Sequence, residues 1–235
     1  MAAPIRIDYF TDPYCAWSWA LEPTLTTLID QEGGSIQIFY HMLPLVADLA
    51  ASGKTGEDIA RGWEHIAAKT GMTINSEAWL ENPPASTLPA CRAVKAAEAE
   101  GIEAAGRYLR ALRPLLMMRC RVADTETLLM AAEAAQISLP DFKIALEDTA
   151  TLDGELETDR QLAKAFGVLD TPALVMQNAV RDKILIEGPR DLELIERAVE
   201  VLRTDEDVEL PPAPRTLSTE LIPEPEEAQR HPRRS

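Results

Sequence analysis

The stretch Asp12-Pro13-Tyr14-Cys15-Ala16-Trp17-Ser18-Trp19-Ala20-Leu21-Glu22-Pro23 places a thiol between a turn and a helix. Pro13 fixes its own φ and pushes the residue before it towards extended backbone, so Thr11-Asp12-Pro13 reads as a turn. From Ala16 to about Gln31 the apolar residues Trp17, Leu21, Leu25 and Leu28 recur at helical spacing, and Gly33-Gly34 end the run. Cys15 is therefore expected at a helix start, where unpaired backbone N–H groups and the positive end of the helix dipole face it. Both favour thiolate over thiol and can lower the pKa well below the ordinary ~8.5; the alternative is a small buried hydrophobe at a strand–helix junction. Thiolate is the nucleophile of disulfide exchange.

Working outward, residues 4–10 alternate apolar and polar with the period of a half-buried strand. Residues 36–40, Ile-Gln-Ile-Phe-Tyr, read as a second strand. Two strands joined through a helix make a β-α-β unit, and the right-handed crossover rule makes them parallel. From 56 to 148 alanine, glutamate and leucine dominate, with punctuation at Gly71, Pro83-Pro84, Gly101 and Ser138-Leu139-Pro140. About four helices are expected there, as an inserted subdomain or as a separate all-α domain on a linker. The β-rich flanks favour insertion. A short helix over 156–166 should stop at Gly167. A strand over 168–176 is entered through Thr171-Pro172, a further strand over 183–187 follows a polar turn at Asn178, and a last helix covers 190–203. Its apolar stripe is Leu192, Ile195, Val199 and Leu202. Past Thr204 the chain is rich in proline and charge, and it reads as a disordered tail over 205–235.

The motif around Cys15, the Thr171-Pro172 step and the helical block between them resemble the DsbA-like family, including its FrnE-type cytoplasmic oxidoreductases. That resemblance implies an α/β thioredoxin-like fold, with residues 1–55 and 151–204 as its two halves and 56–150 inserted between them. It implies a cis Pro172 facing Cys15, with the Thr171 backbone free to pair with a bound extended chain. One departure bears on function: the second cysteine of the family's Cys-x-x-Cys is Ser18. A hydroxyl can hydrogen-bond a thiolate but cannot resolve a mixed disulfide, so a dithiol cycle within the motif is closed. Monothiol work remains, with Cys15 as nucleophile, Ser18 as its companion and glutathione as a possible co-substrate. No tightly bound cofactor is expected.

Two further readings stay open. Kappa-type glutathione transferases and 2-hydroxychromene-2-carboxylate isomerases resemble this arrangement, with a serine at the position matching Cys15. Other DsbA-like proteins with an Asp-Pro-x-Cys turn followed by Trp act as adaptors that bring a partner to a protease. The expected partner is a thiol- or disulfide-containing protein, or glutathione. Trp17 and Trp19 can line a substrate groove, although Trp17 shares its stripe with Leu21 and suits the core, leaving Trp19 as the more exposed. Asp12 can orient a substrate amine or the thiol proton, or it can close an Asx turn.

The remaining features narrow the field. A net charge of −16 argues against nucleic acid and anionic membrane as partners. No apolar run approaches the ~18 residues a spanning helix needs, and no signal-like segment opens the chain, so a cytoplasmic address is expected. Three widely spaced cysteines give no zinc or disulfide framework, and Cys91 and Cys120 read as buried inert thiols. His41, His65 and His231 are scattered, so no metal site is expected.

Overall fold

The computed structural model describes residues 4–119 and 121–204; Cys120 and the expected tail over 205–235 lie outside the described residues. Strand β1 (Ile5–Thr11) is buried at every position except Arg6. The reason is its place in the sheet, whose order is β2-β1-β3-β4. β1 has a strand on either side and cover on both faces, so polar Asp8 and Thr11 go inside with its apolar residues. β2 (Ile36–Met42) runs parallel to it, Ile5 beside Ile36 and Thr11 beside Met42. β3 (Ala173–Gln177) lies antiparallel on the other side, and β4 (Lys183–Glu187) closes the sheet as a hairpin partner of β3.

Helix α1 (Ala16–Glu32) makes the crossover, and the N–H of Gly33, in the left-handed region at φ 51°, bonds back to Ile29. Between β2 and the next long helix lie six helices rather than four: α2 (Gly56–Thr70), α3 (Glu77–Glu81), α4 (Leu88–Glu98), α5 (Ile102–Met117), α6 (Thr125–Ala134) and α7 (Leu139–Glu147). The two extra ones have identifiable causes. Ser138-Leu139-Pro140, which reads as a break, is the start of α7, where proline in the first turn costs no hydrogen bond. α3 is little more than one turn, held by Trp79, which is buried against Tyr14 and Trp63.

α8 (Thr149–Phe166) begins well before residue 156, because the Asp148 carboxylate accepts from Thr151 N at 3.1 Å and caps it. Gly167, at φ 74°, stops it as expected. Residues 168–172 are loop instead of strand, and Leu169 is 82% exposed. α9 (Leu192–Thr204) then packs its Ile195, Ala198, Val199 and Leu202 into the core and ties Arg203 to Glu32 at the end of α1.

One sheet face meets α1 and α9 in a core that continues into the helical block; the other buries Phe10, Ala173 and Val175 under Leu162 and Phe166 of α8. α5 reaches the sheet at Gly106, where an added Cβ would stand 2.5 Å from the Tyr40 hydroxyl. Among the described residues, no helix is long and apolar enough to cross a membrane.

Candidate functional site

Cys15 follows β1 and caps α1. Its backbone is extended, its N–H bonds to Asp12 O at 3.0 Å, and its sulfur accepts from Ser18 N at 3.4 Å. The Thr171–Pro172 peptide is cis and brings Thr171 against the sulfur. Thr171 Oγ1 lies 3.4 Å from Sγ, and Sγ lies 3.6 Å from the Thr171 carbonyl. Cys15, Ser18, Thr171 and Pro172 are thus one cluster, assembled from the two ends of the chain.

The electrostatics depart from the expected activated thiolate. Cys15 is only 4% exposed, and burial pushes its thiol up; donors on Ser18 and Thr171 pull it down without prevailing. A helix start lowers a thiol pKa when solvent also shares the charge, and here the thiol is buried. The Ser18 hydroxyl is buried too and makes no hydrogen bond of normal geometry. It favours ionisation of Cys15 all the same.

The other candidate residues divide. Trp17 is half-buried rather than core, with Lys69 Nζ 5.6 Å from its ring centre. Trp19 is also half-buried and donates Nε1–H to Thr73 O at 3.2 Å. Both edge the site. Asp12 is turned away from solvent. It is fully buried, and its carboxylate accepts from Tyr14 N at 2.6 Å, Leu45 N at 2.8 Å and Thr87 Oγ1 at 2.6 Å, with Cys91 Sγ at 3.6 Å. The first of these is an Asx turn, the second ties in the loop after β2, and Thr87 and Cys91 join the site loop to the helical block. Cys91 is fully buried, and burial beside Asp12 lifts its thiol well above the ordinary range.

Sequence reasoning missed a buried cation behind the site. Arg113 of α5 is fully buried; it donates to Thr11 Oγ1 at 2.6 Å and Tyr9 OH at 3.3 Å, and pairs with Glu22 of α1. Burial opposes its charge, but Tyr9 and Glu22 outweigh that and hold it protonated. The signal was legible: Leu109, Leu112 and Leu116 mark the inner face of α5, and Arg113 falls on it. His41, at the end of β2, is a buried and fully partnered structural residue. Its Nε2 lies 2.7 Å from Asp8 and its Nδ1 2.7 Å from Asp159 of α8, with its ring stacked on Phe10. Asp159 also accepts from Met42 N at 2.8 Å and lies 3.5 Å from Lys95 Nζ. Among the described residues, no group of His, Cys, Asp and Glu is arranged to hold a metal ion. A cavity of about 460 Å³ between α4, α7 and α8 is lined by Lys95, Glu98, Glu155 and Asp159, none of which touches Cys15.

Known proteins place this geometry. Residues 9–197 match the family described as Thioredoxin. The chain is 32% identical over 182 residues to the ClpXP adapter protein SpxH of Halalkalibacterium halodurans, and 31% identical over 180 residues to that of Bacillus subtilis. In each case 74% of this chain is matched against 59% of the relative, so the chain spans about three fifths of the relatives' length. Among solved structures, a candidate protein disulfide isomerase from Nitrosomonas europaea superposes with a TM-score of 0.72 at 20% identity, covering 86% of this chain and 98% of the other. The cytosolic disulfide reductase DsbM of Pseudomonas aeruginosa does so with 0.68 at 18% identity, covering 85% and 98%. These structures share the fold. The match over residues 9–197, with the thiol capping α1 and the Thr171 contact inside it, has one reading: the chain belongs to the thioredoxin family.

Proposed function

We propose that this protein is a cytoplasmic adapter, presenting the surface around Cys15, Trp17, Trp19, Thr171 and Pro172 to a partner protein and handing that partner to a ClpXP-type protease. The observation that carries the reading is the state of the thiol. Cys15 is 4% exposed with its ionisation suppressed by burial, and the residue three positions on is a serine. Such a site turns over disulfides poorly, yet it keeps the strand-pairing edge with which the fold grips an extended chain. The naming of the SpxH relatives supports the same reading.

A direct test pairs capture with degradation. Wild type and Cys15→Ala, both under reductant, should recover the same partner, and adding either to purified ClpXP should speed that partner's proteolysis. Loss of capture in Cys15→Ala, or release of the partner by dithiothreitol, sinks the adapter reading. That result favours the second one, a monothiol exchanger working through a Cys15 mixed disulfide with a protein or glutathione. The two donors at 3.4 Å from Sγ are what favours it, since they would stabilise a thiolate.

A further inference from the structure

The outer edge of β4 carries a self-complementary pattern that the thiol site does not use. β4 ends the sheet, with β3 on one side and no described strand on the other. Its ladder with β3 is bracketed by two backbone bonds, Asn178 N to Asp182 O at 3.2 Å and Gly188 N to Pro172 O at 2.8 Å. Bonded and non-bonded pairs alternate in an antiparallel ladder. Counting inward from either bracket, Met176–Ile184 and Leu174–Ile186 are the bonded pairs. The backbone N–H and C=O groups of Lys183, Leu185 and Glu187 therefore point outward, away from β3.

The side chains of these residues share one face. Lys183 is exposed, with Nζ 4.6 Å from the Phe166 ring centre, and Leu185 is 40% exposed. Glu187 accepts from Leu169 N at 2.9 Å through one carboxylate oxygen. The strand reads Lys-Ile-Leu-Ile-Glu.

We infer that β4 is a homodimer edge, pairing antiparallel with β4 of a second copy about a two-fold axis at Leu185. In that register Leu185 meets Leu185 of the other copy, and each Lys183 meets the other copy's Glu187. All three outward-facing residues exchange their backbone N–H and C=O bonds. Sliding the register by two residues one way sets Lys183 against Leu185 and moves Glu187 off the strand to Arg181 of the turn; the other way sets Leu185 against Glu187 and Lys183 against Pro189, so only the alignment about Leu185 pairs both charges within the strand. Edge lysines commonly discourage strand addition. Here Lys183 excludes other strands while accepting its own kind. The two four-stranded sheets become continuous, and the two Thr171–Pro172 steps, each tied to Gly188, fall at opposite ends of the joint.

The contact is small beside the ~1,200 Å² of a stable interface, so association is weak, with a Kd on the order of 10–100 μM. Sedimentation velocity on the full chain from about 5 to 500 μM should show a monomer–dimer equilibrium. Leu185→Lys should weaken it by about tenfold or more. Lys183→Glu alone and Glu187→Lys alone should each be monomeric, whereas an equimolar mixture of the two should dimerise, because it restores both charge matches. Circular dichroism confirms that each variant is folded, and the mixture supplies the positive control. A monomer at every concentration overturns the inference, as does a dimer indifferent to these changes or a strand edge occupied by another peptide.

Discussion

Two buried polar clusters grow from strand β1 on opposite terms. Around His41 every charge has an opposite neighbour: Asp8 meets Arg6 and His41, and Asp159 meets His41 and Lys95. Around Cys15 the sulfur makes three neutral hydrogen-bond contacts of 3.4–3.6 Å, ordinary lengths for sulfur, and no opposite charge touches it. The first cluster fastens β1 and β2 to α8. The second joins the head of α1 to the Thr171–Pro172 step without any ion pair. Charge pairing fastens the first cluster, and neutral contacts to one sulfur make up the second.

That contrast can be broken most sharply at Asp159. Asp159→Ala leaves His41 and Lys95 facing a missing carboxylate, and denaturant unfolding should report a loss of about 3–5 kcal/mol. Cys15→Ala should cost roughly 1 kcal/mol. Equal losses would dissolve the distinction.

The pH dependence of stability comes next in size. Burial opposes charge on His41, but Asp159 and Asp8 outweigh it and raise its pKa. Its contribution is complete below the unfolded value of ~6.5 and is lost as pH rises through the raised folded value. Burial likewise opposes charge on Asp8, but His41 and Arg6 outweigh it and lower its pKa. That contribution is complete above ~3.9 and is lost as pH falls through the lowered folded value. The cluster is therefore strongest between about pH 4 and 6.5. Urea midpoints followed across pH should fall on the alkaline side, and His41→Gln should flatten that limb.

The thiol site gives the smaller effects. In Cys91→Ala/Cys120→Ala, alkylation of Cys15 should show a midpoint above the ordinary ~8.5, since burial raises its thiol. A midpoint near neutrality would restore the activated-thiolate expectation. Ser18→Ala removes an unpartnered buried hydroxyl, so stability should hold or rise by up to ~1 kcal/mol. The alkylation midpoint should move higher still in the same variant, because one group favouring the thiolate is gone.

Much of this was legible along the chain. Alternation and helical spacing mark β1, α1 and β2 because local pattern decides them, and Cys15, Ser18 and the Thr-Pro step announce themselves by order. What escaped was long-range or disguised. Arg113 reaches Thr11 and Asp159 reaches His41 across more than a hundred residues, and spacing carries no record of such partners. The Val168-Leu169 pair looked like strand, yet Leu169 stands in solvent on the approach to Pro172. Asp12 looked like a reactive group because it sits beside the thiol. Its position in the fold turns it inward.

Asp12 also has a kinetic consequence. One carboxylate holds the amides of Tyr14 and Leu45 and the hydroxyl of Thr87 at the head of α4. The motif turn, the loop after β2 and the start of α4 therefore cannot loosen one at a time, because freeing any of them strands a buried acceptor needed by the others. Their amide protons should exchange with solvent as a single opening unit. A partner that pries at the Cys15 turn thus pulls on the helical block through a shared atom pair, and whatever steadies α4 slows the opening of the site.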